Sequence, residues 1–517
     1  MDLRRRSAAP GNTGRIPAPG PPRGARPPAL RGRPARPATR GHAGDRARRT
    51  RGAGVVSRED TRFDVVVVGA GFTGLAAAHE LGLAGLKTLI VEADDRIGGL
   101  AGTFDVGDGH LERFYHHWFE SDHDMFRLCA ELGRGHLVER RPARTGFYHA
   151  NTIHRLSSPL DVLRFAPLPP VDRVRLGLMV MRAARVRHWR QLEALTAEEW
   201  LVRIGGRRVF DLVWKPLLEG KFGAYAPQVG ATWMWTKLHL RGGSRSRSGR
   251  EMLHYLRGGC GALLDAWRPR LCELGIRLRL HSPVSAVLVD SGGVTGVRVG
   301  DEVVSARRVL VTTAPSVLAD MLTGQDDEHL AVPALRRQLG SIPYLANICL
   351  VLENTHALSD TYWLNVTDPT FPYVGVIEHT NFDDPGHYGG RHIVYLSKYL
   401  PEDSALYRMS DEEVFRYSLP HLRRMFPRFR DEWVRGYHVW RAEHAQPVIT
   451  RNYSRIVPGV ECAVPGLYMA GMAQVFPEDR GTNYAVRHGR NAGRLVADRA
   501  RAHERTGLAS LRTGDGT

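Results

Sequence analysis

A run of β-branched residues, Asp64-Val65-Val66-Val67-Val68, leads directly into Gly69-Ala70-Gly71-Phe72-Thr73-Gly74. The run lacks polar alternation, as expected of a central parallel strand covered on both faces. Small residues follow (Ala76, Ala77, Ala78), suiting a helix pressed close to that strand. A second apolar strand, Thr88-Leu89-Ile90-Val91, ends at Glu92, 18 residues after Gly74. Each glycine has its own duty: Gly69 makes the tight turn, Gly71 lets a pyrophosphate approach the backbone, and Gly74 permits close helix–strand packing. The helix N-terminus attracts the phosphate charge. Glu92 can accept both hydroxyls of an adenosine ribose and would repel a 2′-phosphate. A GxGxxG alone is weak evidence, but strand, helix, second strand and acid in this order predict a dinucleotide site.

Just beyond Glu92 stands Asp95-Arg96-Ile97-Gly98-Gly99-Leu100-Ala101-Gly102-Thr103. Arg96 can neutralise a pyrophosphate, while Gly98 and Gly99 bring backbone against the ligand. The pattern resembles the R-x-G-G-x-x-x-T signature of the flavoprotein superfamily of amine oxidases, protoporphyrinogen oxidases and phytoene desaturases. That resemblance implies FAD rather than a nicotinamide cofactor. It also implies an α/β fold: a Rossmann-like FAD-binding domain of the glutathione-reductase type, built from discontinuous segments, plus a mixed α+β substrate domain.

Later stretches extend the resemblance. Leu256-Arg257-Gly258-Gly259 precedes a helix, and Arg277-Leu278-Arg279-Leu280 and Pro283-Val284-Ser285-Ala286-Val287 read as strands. A hairpin (Gly296-Val297-Arg298-Val299 with Glu302-Val303-Val304) and a returning strand, Val309-Leu310-Val311, follow. Gly466-Leu467-Tyr468-Met469-Ala470-Gly471 is the last strand, and Glu478-Asp479-Arg480-Gly481-Thr482-Asn483 opens a helix to about Arg499. The resemblance puts the Val284 backbone against adenine. It puts Gly471, Thr482 and Asn483 beside the flavin ring and ribityl chain, where helix amides stabilise negative charge. Met472 stands where relatives carry a ribityl-binding acid, and Asp479 is the expected substitute. The implied organisation is FAD-binding segments at 61–125, 251–325 and 446–505, substrate-domain segments at 126–250 and 326–445, and disordered tails at 1–60 and 506–517.

Three features fall on the substrate side. Glu112-Arg113-Phe114-Tyr115-His116-His117-Trp118 follows the Gly98/Gly99 block, so His116 and His117 are candidates for a base or for orienting a substrate oxygen. Only five of the 72 basic residues are Lys, so Lys215 and Lys221 stand out in Trp214-Lys215-Pro216-Leu217-Leu218-Glu219-Gly220-Lys221. Several amine-oxidase relatives use a lysine to hold a water over the flavin, which makes Lys221 the third catalytic candidate by resemblance. Residues 159–190 combine apolar side chains with seven Arg, a composition suited to an anionic membrane surface or to an exposed basic face over a core. His116, His117, Glu120, Asp122, His123 and Asp124 match no ligand spacing, and no metal is expected.

The formal charge of +18 is unevenly spread: residues 1–60 hold 15 Arg against four acids, leaving +7 for the remaining 457 residues. With nine Pro, nine Gly and no Phe, Tyr or Trp, that stretch cannot bury enough apolar surface to order itself. The simplest expectation is an artefact of start-site choice, with the chain beginning near Val55 or Val56; an organellar transit peptide and a polyanion-binding arm are the alternatives. The remaining charge lacks the interleaved aromatics of a nucleic-acid motif, and no nucleic acid is expected. Five scattered Cys without CxxC spacing fit a reducing compartment, and no apolar run spans a bilayer. A cytoplasmic protein follows as the expectation, with peripheral contact to the inner membrane face as one of the two readings of residues 159–190.

These residues predict an FAD-dependent oxidoreductase of the oxidase or desaturase type. It would remove hydride from a C–H or C–N bond of a mostly apolar substrate: isoprenoid, polycyclic, lipid-linked or amine. No second GxGxxG occurs, so oxygen, a quinone or another acceptor would reoxidise the flavin. Two alternatives are a non-redox flavin isomerase resembling UDP-galactopyranose mutase and a flavoprotein that binds without turnover.

Overall fold

The valine run forms the strand Phe63–Val68, in which every residue but Asp64 is buried. The computed structural model describes residues 62–107, 109–155, 159–243, 251–325 and 328–513, so the expected tail at 1–60 lies outside the described residues. Phe63–Val68 sits inside a seven-stranded sheet. The spatial order is Val284–Asp290, Gly293–Val299, Glu302–Val311, Phe63–Val68, Thr88–Val91, Arg277–Arg279, with Leu467–Met469 also paired to Glu302–Val311. Val65 and Val67 pack with Leu75, Leu263, Trp267 and Val486 from the helices Phe72–Leu83, Gly259–Glu273 and Thr482–Thr513. Val66 and Val68 pack on the other face with Leu318, Met321 and Leu335. Both faces are covered, which is why the run has no polar alternation.

The expected hairpin strand and returning strand are one strand, Glu302–Val311. Its first half runs antiparallel to Gly293–Val299, and its last half lies parallel between Phe63–Val68 and Leu467–Met469. Alternating burial continues through Val304, Ser305, Ala306 and Arg307, so nothing in that stretch breaks the extended chain. The last helix lies backbone to backbone on Phe72–Leu83: a Cβ on Gly489 would stand 2.2 Å from the Thr73 carbonyl oxygen. It runs on to Thr513, past the expected end near Arg499 and into the stretch read as a tail.

A second seven-stranded sheet has the order Val434–Pro447, Tyr344–Asn354, His392–Leu400, Gly375–Glu378, Trp363–Val366, Thr145–His149, Thr152–Arg155. Helices between residues 159 and 243 form an apolar core around Trp200, Phe210, Phe222 and Trp233, completed by Phe147, Leu345, Ile449 and Tyr453 from outside that segment. The helix His123–Glu131 straddles the expected boundary between residues 125 and 126, and it places Met125, Leu128 and Cys129 together in the core of the first sheet. Its apolar face matches that layer because Asn483, at the start of the last helix, holds its N-terminus there.

Candidate active site

The glycine loop is shaped by contacts that a side chain would break. Gly69 has φ +102°, and a Cβ on Gly74 would stand 2.0 Å from the Gly69 carbonyl oxygen. Gly71 is different: its Cβ position meets only the Gly99 Cα, 4.0 Å away. The helix Phe72–Leu83 begins there with no side-chain cap and no acid in its first turn, so its amides are left for a ligand. Gly98 donates from its amide to the Ala70 carbonyl at 2.8 Å, which lays the Gly98/Gly99 turn alongside the loop. Glu92 accepts from the Ala70 amide at 2.6 Å and from the Asp94 amide at 2.9 Å, and its own carbonyl accepts from the Ser282 amide, two residues before Val284.

A cavity of ≈ 410 Å³ runs from Glu92 and Gly69 past Gly71, Gly98 and Gly99 to Tyr115 and His116, with Thr482 along its wall. Room at Gly71, two helix N-termini without first-turn acids and a carboxylate at one end fit FAD. Its pyrophosphate would lie on the glycine loop and its ribose at Glu92.

Not every expected binding residue reaches this cavity. Arg96 is exposed, 3.5 Å from the Thr103 carbonyl and 4.0 Å from the Asp105 carboxylate. Gly471 donates from its amide to the Gln474 side chain, and Met472 beside it is the residue that lines the cavity. Asp479, the expected stand-in for the ribityl acid, is buried elsewhere. It accepts from the Trp233 indole at 3.0 Å and pairs with the Lys237 ammonium. Burial pushes its carboxyl up, but Lys237 and Lys221 more than reverse this and hold it well below the carboxylate range. Asn483 accepts from the amides of Asp124 and Met125 at 2.9 and 3.1 Å, capping another helix. Thr482 accepts from the Trp118 indole at 2.9 Å while lining the cavity.

The catalytic candidates also separate. His116 lines the cavity with Nδ1 2.6 Å from the Phe114 carbonyl. A carbonyl only accepts, so Nδ1 carries the proton and Nε2 is the basic nitrogen. Burial holds its pKa below the ordinary histidine value. His117 turns away, with Nδ1 2.9 Å from the Tyr362 hydroxyl and its ring edge-on to Phe119 and Trp363. Lys221 does not line the cavity; its ammonium lies 4.9 Å from the Trp233 ring centre and 5.0 Å from that of Tyr399. Burial pushes its pKa well below the usual lysine value, with Asp479 opposing.

Four further residues line the far end without having been singled out from sequence: Tyr115, Asn347, Tyr399 and Arg480. Asn347 and Tyr399 are cross-strand partners. Asn347 donates to the Ser397 hydroxyl at 2.9 Å, but its buried carbonyl oxygen has no partner. Arg480 donates to Gln446 at 2.9 Å and to the Tyr399 hydroxyl. Arg480, which adjoins the motif residues, and Tyr115, which adjoins His116, had a local signal; Asn347 and Tyr399 had none. The other end of the lining has its one carboxylate, Glu92.

A sequence profile described as flavin containing amine oxidoreductase matches residues 72–497. The (S)-6-hydroxynicotine oxidase of Paenarthrobacter nicotinovorans is 26% identical over 276 residues, 48% of this chain and 60% of that protein. Mouse L-amino-acid oxidase is 36% identical over 126 residues, 20% of each chain. The matched stretch thus spans less than two thirds of either relative. Among solved structures, reduced UDP-galactopyranose mutase superposes with a TM-score of 0.64 at 17% identity, covering 83% of this chain and 94% of the other. At that identity the likeness is one of fold.

Proposed function

The chain belongs to the flavin-containing amine oxidoreductase family and its cofactor is FAD, and from that premise we propose that it oxidises a small substrate with an apolar body and one polar end. FAD supplies a two-electron acceptor for a substrate hydride. The supporting observation is His116: a cavity-lining imidazole with Nδ1 committed and a neutral Nε2. Its role is to take the proton that leaves the substrate heteroatom as the neighbouring C–H bond breaks. The side chains of Phe114, Tyr115 and Tyr399 wall off water and align the substrate, while Arg480 and the unpaired Asn347 oxygen meet its polar end. Oxygen, a quinone or another small acceptor completes the cycle.

One observation supports a second reading. Arg480 supplies a cation at the substrate end and no carboxylate stands there, which suits an anionic sugar nucleotide better than an ammonium group. That would be isomerisation without net oxidation. Anaerobic mixing of the holoenzyme with a panel of lipids, terpenoids, amines and sugar nucleotides separates the two. Loss of the flavin band near about 450 nm with any of them supports oxidation. A UDP-sugar that binds only the reduced enzyme, with no member of the panel bleaching the flavin, supports isomerisation and removes the first reading.

A further inference from the structure

The helix Pro170–Ala184 has two apolar stripes, and the fold covers only one of them. Leu176, Met179 and Ala183 are buried in the helical core. Val171, Val174, Leu178 and Met181 follow the spacing of a single helical line on the outside, and are 64, 52, 38 and 50% exposed. Leu160 and Leu163, on the short preceding helix Pro159–Leu163, are 51 and 53% exposed. Six of the ten exposed large hydrophobic residues among the described residues therefore gather in 22 positions of sequence, 160–181. Soluble surfaces scatter such residues singly, and a contiguous stripe marks a contact.

The charges around the stripe say what it touches. Residues 159–190 hold seven Arg and two acids, Asp161 and Asp172. Asp172 is buried and paired with Arg175 at 2.9 Å and Arg208 at 3.7 Å. Arg164, Arg185, Arg187 and Arg190 have no acidic partner among the described residues. We propose that this face docks on an anionic phospholipid surface. The helices lie in the interface with Val171, Val174, Leu178 and Met181 seated among the acyl chains, and the arginines meet the headgroups. A second copy of the chain would bring arginine against arginine across the contact. The helix has 15 residues, too short to span a bilayer. Trp189, at the end of this segment, packs edge-on against Phe476 at 4.9 Å, four residues before the cavity-lining Arg480. Docking therefore braces the loop that carries Arg480. The proposal does not rest on the oxidoreductase reading.

Vesicle co-sedimentation of the full-length, FAD-loaded protein tests it, with phosphatidylcholine alone against phosphatidylcholine mixed with phosphatidylglycerol. Residues 1–60 stay in every variant, so their attraction for anionic lipid is constant. The wild type should sediment with the mixed vesicles, and the triple variant Val174→Ser, Leu178→Ser, Met181→Ser should bind at least about tenfold more weakly. Arg164→Gln with Arg185→Gln and Arg187→Gln should weaken binding and flatten its salt dependence. Flavin content and melting temperature should stay as in the wild type, because all six side chains are exposed. Equal sedimentation of the serine variant and the wild type overturns the proposal, as does a wild type that stays in solution with mixed vesicles. A serine variant that turns a dimer into a monomer by light scattering, with unchanged vesicle binding, makes the stripe a self-contact and overturns it too.

Discussion

Gly71 and Gly74 are three positions apart, yet one leaves room for a ligand and the other leaves none for a side chain. A methyl on Gly74 would meet the Gly69 carbonyl at 2.0 Å and the Thr312 hydroxyl at 3.0 Å. Backbone cannot step aside cheaply, so Gly74→Ala should cost the apoprotein about 1–3 kcal/mol, read as a lower denaturation midpoint. Gly71→Ala has an ordinary φ of −71° and open space, so apoprotein stability should stay within about 0.5 kcal/mol. The flavin-to-protein ratio after gel filtration should fall instead. Full flavin retention by Gly71→Ala would mean the phosphates lie elsewhere. His116 makes a prediction in pH. Its folded pKa is depressed, so the neutral base persists through neutrality and is lost only as pH falls below about 6.5. The anaerobic flavin-reduction rate should be flat near pH 7, decline on the acid side, and drop about 10²–10⁴-fold in His116→Gln. Stability has the same sign: the unfolded imidazole binds its proton first, so acid favours unfolding.

At the scale of elements, a residue can belong to a cofactor motif and serve the architecture. The helix His123–Glu131 starts at Asp122, whose side chain makes no capping bond to it. The carbonyl of Asn483, 359 residues from Asp124, does that work for two amides. Asn483→Ala should therefore destabilise the protein by about 1–2 kcal/mol in a urea melt, with flavin per folded molecule unchanged. Asn483→Asp keeps the acceptor and adds a charge favoured at a helix N-terminus, so it should return close to wild type. Loss of flavin without loss of stability in the alanine variant would restore Asn483 to the cofactor. The contrast shows which parts of the site could be read from sequence. The loop at Gly69, Gly71 and Gly74 and the turn at Gly98 and Gly99 are contiguous backbone shapes, and backbone shape leaves a local signature. Tyr399 and Asn347 reach the cavity through strand register, which leaves none. The merged strand Glu302–Val311 was hidden for a related reason, because two pairing partners divide one extended chain.

The whole molecule is joined at a place that sequence marked but did not explain. Three of the five lysines, Lys221, Lys237 and Lys398, gather near the buried Asp479 or the helix Lys215–Phe222, where the Gly220 carbonyl accepts from Lys398 at 3.3 Å. Scarcity singled out Lys215 and Lys221: Lys221 belongs to this charge network and not to the cavity wall, and Lys215 stands outside it, 3.9 Å from the Glu219 carboxylate. Asp479 lies three residues before the last helix of the dinucleotide layer, Thr482–Thr513, while Trp233 and Lys237 come from the helix Ala231–Gly243 of the helical core. The buried carboxylate ties the two bodies together. Its removal leaves Lys237 and Lys221 facing each other without compensation, which is the expensive way to break a buried pair. Asp479→Asn should cost about 3–5 kcal/mol in apoprotein and holoprotein alike. Adding Lys237→Met should recover at least about 1 kcal/mol of that loss, because an apolar side chain replaces an orphaned ammonium. Chemical denaturation of the two single variants and the double variant gives the coupling directly. If the double variant is as unstable as the sum of the singles, Asp479 holds the layers by shape alone. If Asp479→Asn strips flavin at unchanged stability, the carboxylate serves the ribityl chain after all, and Lys237 only borrows it.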